Sequence, residues 1–235
     1  TIGKTVVLNE NKNISAIVQS VESDGLRILT FSEPIDSMAF DDARLTPLPP
    51  YIAQDESLSD EYQTVYAKPL GSKAAPTAGL HFTEQQLERL GRKHTISEVT
   101  LHVGLGTFAP VKDDDIRNHN MHSEWFTIDE KSAAEINAAT HRTAVGTTTV
   151  RTLESAQMLQ NKIIAQSNDT KIFITPGFTF RHVDALITNF HLPKSTLLML
   201  VAAFMGGTEE LHRVYRHAID KNYRFYSFGD AMLIL

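Results

Sequence analysis

Cysteine is absent from the 235-residue sequence. Its absence excludes disulfide bonds, thiolate catalysis and metal sites built on cysteine ligands. It also fits a reducing compartment such as the cytoplasm. Long apolar runs are lacking as well, because the longest candidate, residues 197–204, falls short of the ~18 residues that cross a bilayer. We therefore expect no membrane span.

An excess of positive charge is also lacking, since the formal net charge is −6. This charge argues against non-specific coating of nucleic acid, but it is compatible with one basic face. The segment 212–224 carries the basic residues Arg213, Arg216, Lys221 and Arg224. Such a segment is either a solvated helix face or a contact surface for nucleic acid.

Short apolar and β-branched runs at residues 4–8, 14–22 and 26–31 are separated by turn signals. This pattern predicts an antiparallel meander and, with it, a small β domain over residues 1–46. Prolines then indicate an extended connector over residues 47–61.

From residue 62 to the end, strand and helix patterns alternate, which predicts an α/β domain. Strands are expected at 96–103, 123–128, 143–149, 171–175, 184–190 and 225–234, and helices at 83–93, 129–140, 150–160, 194–205 and 208–221. Thr83 with Gln86 forms a capping-box pattern for the first helix, and Asp129 suits the N-cap of the second.

Four polar turns rich in glycine and threonine stand at the ends of these elements, at 75–82, 101–108, 145–154 and 188–196. In α/β folds the carboxyl ends of strands and the amino ends of helices bind polar or anionic ligands. We therefore predict one pocket shared by the four turns. Its candidate binding residues are Thr77, Gly79, Gly104, Gly106, Thr107, Thr147, Thr148, Asn189, Lys194 and Ser195.

The candidate catalytic residues are His81, His102, His191, Arg151 and Glu154. A lone histidine is more often a hydrogen-bonded structural residue, but these three stand in polar turns, and imidazole in general is suited to proton transfer near neutral pH. Arg151 and Glu154, three residues apart, could instead simply pair on their helix. A metal-dependent hydrolase with its metal site on His119, His122 and Glu124 is a further alternative, although the spacing matches no common motif.

Several segments together resemble the S-adenosylmethionine:tRNA ribosyltransferase-isomerase family. They are residues 47–52 (PLPPYI), 62–67 (YQTVYA), 74–82 (AAPTAGLHF), 99–108 (VTLHVGLGTF), 122–124 (HSE), 144–149 (AVGTTT), 150–155 (VRTLES), 183–200 (VDALITNFHLPKSTLLML) and 223–232 (YRFYSFGDAM). They follow the family's order and cover essentially the whole chain, so their joint occurrence is specific.

The resemblance implies an α/β-barrel-like catalytic domain with a small antiparallel β-barrel domain. It also implies a cytoplasmic, monomeric transferase of queuosine biosynthesis. This family moves and isomerises the ribosyl part of S-adenosylmethionine onto 7-aminomethyl-7-deazaguanine in a tRNA anticodon loop. The products are epoxyqueuosine-tRNA, adenine and methionine. S-adenosylmethionine is then a substrate, and no cofactor or metal is expected.

The chemistry implied by the resemblance needs a base for a proton beside the sulfonium, an acid for adenine and donors for an oxyanion. We assign proton transfer to the three histidines, and carboxylate or phosphate binding to Arg151 and Lys194. The four basic residues of 212–224 are the predicted tRNA contacts.

The sequence departs from the family in two places. About a hundred N-terminal residues of the family pattern are missing, and residues 139–144 look too short to leave a helix and enter a strand. We therefore expect the chain to represent ordered segments of a longer protein. If the shortening is real, a non-catalytic RNA-binding fragment is the rival to an enzyme.

Overall fold

The N-terminal residues form a three-stranded antiparallel sheet in the order β1-β2-β3, as the meander pattern predicts. The strands are β1 (Thr5–Asn9), β2 (Ile14–Val21) and β3 (Arg27–Phe31). Ile14, Ala16 and Val18 alternate along β2 and are buried, because successive side chains of a strand point to opposite faces. A 3₁₀ helix (Met38–Ala43) follows.

This protein is described here from a computed structural model that covers residues 1–9, 14–22, 27–34, 37–43, 45–49, 51–69, 71–104, 116 and 121–235. The turn signals between the three N-terminal runs, at 11–13 and 24–25, lie outside these residues. The chain divides into two compact units, Thr1–Thr46 and Pro47–Leu235. None of the described helices is long and apolar enough to cross a membrane.

The second unit alternates helices and strands and is therefore mixed α/β. Its helices are α1 (Glu84–Gly91), α2 (Glu130–Ala138), α3 (Thr147–Ser155), α4 (Thr196–Phe204) and α5 (Thr208–Asp220), with 3₁₀ helices at Glu56–Leu58 and Thr77–His81. Its strands are β4 (Thr100–Leu101), β5 (Glu124–Ile128), β6 (Thr143–Val145), β7 (Met158–Leu159), β8 (Lys162–Ile163), β9 (Gln166–Thr170), β10 (Ala185–Asn189) and β11 (Ala231–Ile234).

These strands form three open sheets, ordered β11-β10-β6, β4-β5-β9 and β7-β8. β10 pairs parallel to β6 and antiparallel to β11, and the second sheet is antiparallel. The expected barrel closure is not seen among the described strands, since each sheet has three strands at most and a closed barrel needs more. A core of Phe126, Ile128, Val150, Leu186 and Leu200 packs the helices against the sheets.

Local capping explains where three helices begin. Thr83 and Gln86 form the predicted capping box of α1, and Asp129 accepts a hydrogen bond from the Ser132 N–H at the start of α2. Ser195 caps α4 in the same way. Side-chain oxygens at these positions satisfy N–H groups that have no partner within the helix.

The segment after β6 differs from the sequence-based prediction. α3 begins at Thr147 instead of 150, because Gly146 turns the chain with a φ of +88° directly after β6. The predicted end of this helix is replaced by the hairpin β7–β8, whose turn places Gln160 and Asn161 at positive φ.

Two further strand boundaries and one connection differ from the prediction. A strand is expected at 171–175, but the observed strand lies before this range, at Gln166–Thr170. The strand expected at 225–234 begins only at Ala231, after a turn. α2 and β6 are joined by only four residues, 139–142, so the short segment does suffice to leave a helix and enter a strand.

Candidate active site

All four polar turns contribute to one cavity of about 70 Å³ in the second unit. The 3₁₀ helix contributes Thr77, the turn after β4 contributes Val103, and α3 contributes its first residues. The end of β10 contributes Thr188 and Asn189, followed by His191. The pocket predicted from the four turns therefore has a structural counterpart.

Asn189 links three of the elements around this cavity. Its side-chain oxygen accepts a hydrogen bond from the Thr77 hydroxyl at 3.2 Å. Its amide nitrogen lies 3.2 Å from His81 Nε2 and donates to the Tyr226 carbonyl at 3.2 Å. Because Asn189 is fully buried at the end of β10, it fixes the 3₁₀ helix and the turn at 226 with respect to the sheet.

His191 lines the cavity two residues beyond Asn189. Its Nε2 is 2.9 Å from the Thr188 hydroxyl, and its backbone N–H donates to the Tyr215 hydroxyl at 2.9 Å. Burial lowers the pKa of His191 to about 4. The imidazole is therefore neutral near pH 7 and can accept a proton there.

Two tyrosines that the sequence analysis did not single out lie at the same cavity. The rings of Tyr51 and Tyr226 are 5.3 Å apart between centroids, and the Tyr51 hydroxyl is 2.7 Å from the Ser227 hydroxyl. Burial raises the pKa of Tyr51, which keeps its hydroxyl protonated. Both tyrosines belong to segments that resemble the family. An aromatic residue within such a segment is the sequence feature that could have identified them as site residues.

A second, more open concavity of about 390 Å³ adjoins the cavity at Ser227. Asp60, Glu61, His81 and Arg224 are among its lining residues. Burial lowers the pKa of His81, against the opposing effect of Asp230. His81 thus faces this concavity, while its ring contacts Asn189 between the two spaces.

Arg151 is buried in an ion pair with Glu124 on β5. Glu124 also accepts a hydrogen bond from the Gly104 N–H at 3.1 Å, which ties the end of the 101–104 turn to α3. The guanidinium Nε and Nη2 of Arg151 are buried and have no hydrogen-bond partner among the described residues. Arg151 is not among the lining residues of either concavity, and through Glu124 it has a positioning role for Gly104.

Glu154 does not pair with Arg151, so the alternative of a local pair on α3 is wrong. Its carboxylate accepts hydrogen bonds from the backbone N–H groups of Arg181 and His182 at 2.9–3.1 Å. Glu154 is absent from the lining of both concavities. Its contacts are those of a residue that anchors a loop.

His102 and Gly79 also lie outside the two concavities. The His102 ring packs on Trp125 with centroids 5.0 Å apart, and a Cβ on Gly71 would approach it to 2.7 Å. A Cβ on Gly79 would lie 2.0 Å from the Tyr66 hydroxyl, so glycine is needed there for close packing. Both residues have packing contacts that explain them without a ligand.

The remaining predicted binding residues fall into three groups. Thr147 and Thr148 line the cavity at the first turn of α3. Ser195 also lines it, but its hydroxyl donates to the Leu192 carbonyl and caps α4. Lys194 is exposed, with a φ of +57°. Gly106 and Thr107 lie outside the described residues.

The basic residues of 212–224 are exposed on α5 and just beyond it. Arg213 pairs with Glu210, and Arg224 pairs with Asp230 at 2.7 Å. Arg216 Nε donates to the His212 carbonyl at 3.3 Å, and Lys221 follows the last residue of the helix. Arg213 and Arg216 share one helix face, since residues three apart are neighbours on the surface.

The metal alternative required His119, His122 and Glu124 to meet. His119 lies outside the described residues, and Glu124 is bonded to Arg151 and to the Gly104 N–H. Contacts of this kind satisfy a carboxylate without a metal ion.

A model of the queuosine biosynthesis protein family matches residues 1–234. The chain belongs to this family. The resemblance on which the sequence analysis relied is therefore confirmed.

Curated members of the family are similar over nearly the whole chain. The S-adenosylmethionine:tRNA ribosyltransferase-isomerase of Finegoldia magna is 49% identical, with 99% of this chain and 70% of the relative covered. The protein of the same name from Thermotoga petrophila is also 49% identical, with 99% and 69% covered.

A solved structure supports the fold. The crystal structure of S-adenosylmethionine tRNA ribosyltransferase from Thermotoga maritima matches with a TM-score of 0.55 and 36% identity. The match covers 100% of this chain and 66% of the solved chain. The chain of 235 residues thus spans about two thirds of the length of these relatives.

Proposed function

We propose that this chain transfers and isomerises the ribosyl part of S-adenosylmethionine onto 7-aminomethyl-7-deazaguanine in a tRNA anticodon loop. The products would be epoxyqueuosine-tRNA, adenine and methionine. The observation that carries this proposal is the convergence of four polar turns on one cavity that contains a neutral imidazole, His191, in a chain of this family.

His191 is the residue to which we assign proton abstraction beside the sulfonium. A general base must be unprotonated at the working pH and within reach of the substrate. The lowered pKa of His191 and its place in the cavity meet both conditions. Thr188 orients the ring through its 2.9 Å contact with Nε2.

His81 is the residue to which we assign the hydrogen-bond contact with the departing adenine, because its lowered pKa leaves the imidazole neutral near pH 7 with one ring N–H to donate. It contacts Asn189 at the boundary between the two spaces and lines the open one, from which solvent can supply a proton to adenine. Thr77, Thr147 and Thr148 would hold ribose hydroxyls or the developing oxyanion, since hydroxyl donors and N–H groups at the start of α3 stabilise negative charge.

The size of the two concavities favours a substrate that occupies both. Ligand sites usually measure ~300–1,000 Å³, and the first cavity, at about 70 Å³, is too small for all of S-adenosylmethionine. The open concavity of about 390 Å³ adjoins it at Ser227 and carries charged residues. We therefore place the charged parts of the substrates in the open concavity.

The tRNA would contact Arg213, Arg216 and Lys221 on α5, and Arg224 at the open concavity. Phosphates recruit exposed cations of this kind, and such contacts make binding depend on salt. The net charge of −6 means that such attraction comes from local basic surfaces and not from the chain as a whole. We further propose that the chain acts in the cytoplasm as a monomer, with no metal or cofactor, and that its catalytic unit is part of a barrel-like domain.

The test is incubation of the purified chain with S-adenosylmethionine and an anticodon stem-loop that carries 7-aminomethyl-7-deazaguanine. We expect adenine release, detected by chromatography, and a matching gain in RNA mass. A stem-loop with guanine at the same position is the negative control, and the Finegoldia magna relative is the positive control. Binding of the RNA without adenine release would identify an RNA-binding fragment and would reject the proposed activity.

A further inference from the structure

We propose that Tyr226, supported by Tyr51, is a stacking surface for a purine-type base of one of the two substrates. This inference rests on the proposed function, because it assigns a part of the same site. It adds two residues that neither the sequence motifs nor the names of the relatives assign to ligand binding.

The two rings are available to a ligand although they lie in a cavity. Tyr51 and Tyr226 both line it, and they are 37% and 36% exposed. Their planes are inclined by 54°, so a flat base stacked on one ring meets the other at an angle. Partly exposed aromatic rings can stack on nucleic-acid bases with little dependence on sequence.

The backbone at Tyr226 is held in a conformation that side chains rarely adopt, with a φ of +72°. Its N–H donates to the Phe190 carbonyl at 2.9 Å, and its carbonyl accepts from Asn189 at 3.2 Å and from the Gly229 N–H at 3.1 Å. Strained residues persist where the surroundings fix them, and they cluster at ligand sites. The strain therefore marks Tyr226 as a residue presented for contact.

The turn that carries Tyr226 is rigid. A Cβ on Gly229 would lie 2.4 Å from the Phe225 backbone, so this turn has no room for another residue there. Phe225 packs on Phe190 and Tyr215 with centroid distances of 5.0 and 5.8 Å. A preformed surface costs less ordering entropy on binding, which favours recognition of a rigid, flat group.

The charge distribution identifies which part of a substrate belongs there. The described residues that line the first cavity include no aspartate, glutamate, lysine or arginine. The adjoining concavity carries Asp60, Glu61 and Arg224. An uncharged base therefore fits beside Tyr226, whereas the amino-acid part of S-adenosylmethionine and the RNA phosphates fit the charged concavity.

The base could come from either substrate, as adenine of S-adenosylmethionine or as 7-deazaguanine of the RNA. The test measures the affinity of the full chain for each ligand separately, by calorimetry for S-adenosylmethionine and by fluorescence anisotropy for the modified stem-loop. The variants are Tyr226→Leu, Tyr226→Phe and Tyr51→Leu. Tyr223→Leu is the matched control, since Tyr223 is exposed, contacts Phe190 and is not among the lining residues.

We expect Tyr226→Leu to weaken one of the two ligands by about 5- to 150-fold, the effect of removing one stacked aromatic ring. Tyr226→Phe and Tyr223→Leu should stay within about twofold of wild type, because both keep the ring of residue 226. The ligand that loses affinity identifies the source of the base. If Tyr226→Leu unfolds, as judged by circular dichroism, Tyr51→Leu must show a loss for one ligand.

Unchanged affinity for both ligands in folded Tyr226→Leu and Tyr51→Leu would overturn the stacking surface, as would a wild type that binds neither ligand. These measurements do not need turnover. A wild type that binds both substrates and releases no adenine would reject the proposed activity, while the variant affinities would still decide the role of Tyr226.

Discussion

Arg151 and Arg213 each pair with a glutamate within the second unit, but the two pairs lie in opposite surroundings. The side chains of Arg151 and Glu124 are 3% and 2% exposed, whereas those of Arg213 and Glu210 are 68% and 44% exposed. The first pair joins α3 to β5 across the interior, and the second lies within one turn of α5.

The difference extends to the regions around the two pairs. Around the cavity, Asn189 and His191 are held by hydrogen bonds from separate elements of the chain. On α5, the contacts of Arg213 and Arg216 within the described part of the chain are with groups three or four residues away. The cavity region is therefore preorganised for directed contacts, and the α5 surface is suited to adjustable, long-range attraction.

Substitution of the two arginines should separate the regions most strongly. We expect Arg151→Ala to lower the free energy of unfolding by about 3–5 kcal/mol, because it leaves the Glu124 carboxylate buried without its cation. Arg213→Ala should leave the urea midpoint unchanged within error. Urea unfolding followed by circular dichroism measures both. If Arg151→Ala lowers the free energy of unfolding no more than Arg213→Ala does, the buried pair does not stabilise the fold.

Histidines allow the same comparison for activity. His191→Ala should lower kcat by about 10²–10⁴-fold, the usual contribution of a general base, whereas His212→Ala on α5 should not change it. Adenine release under saturating substrates is the measurement, with circular dichroism as the control for folding. A rate for His191→Ala within threefold of wild type would remove His191 from the mechanism.

The pH dependence of stability should also distinguish the cavity. The pKa of His191 falls from 6.5 to about 4 on folding, so between these values the unfolded chain binds the proton and the folded chain does not. The contribution of His191 to the free energy of unfolding is therefore complete above pH 6.5. It decreases as the pH falls towards 4, by about 3 kcal/mol in total.

The variant His191→Gln isolates this contribution. Urea unfolding at pH 5.0 and 7.5 should show a smaller loss of stability for the variant than for the wild type. His81 and His182, whose pKa values burial also lowers, remain in both proteins. Parallel pH profiles for the two proteins would mean that His191 binds its proton equally well when folded.

The smallest effect is expected on α5. An Arg213→Ala/Arg216→Ala variant should weaken RNA binding, and the slope of log K against log salt should fall by roughly one unit for each lost phosphate contact. The control is Arg89→Ala/Arg92→Ala at the C-terminal end of α1, where Arg92 forms a comparable exposed pair with Glu88. If both double variants behave like wild type, the RNA surface lies elsewhere.

By itself, the sequence determined the family, the mixed α/β character and the features that neighbouring residues control. Thr83 with Gln86 and Asp129 locate two helix starts correctly, because a cap hydrogen bond joins residues three apart. The strands β1 to β3 follow from short apolar and β-branched runs that are separated by turn signals. These features need no knowledge of the rest of the chain.

Only the tertiary structure decided which of the singled-out residues act together. Glu154 is the neighbour of Arg151 along the helix, but the partner of Arg151 is Glu124, 27 residues away. Tyr51 meets Ser227 across 176 residues, and His102 turns to Trp125 instead of the cavity. Burial of a charge or a ring depends on which strands and helices pack together, and sequence spacing alone does not specify that packing.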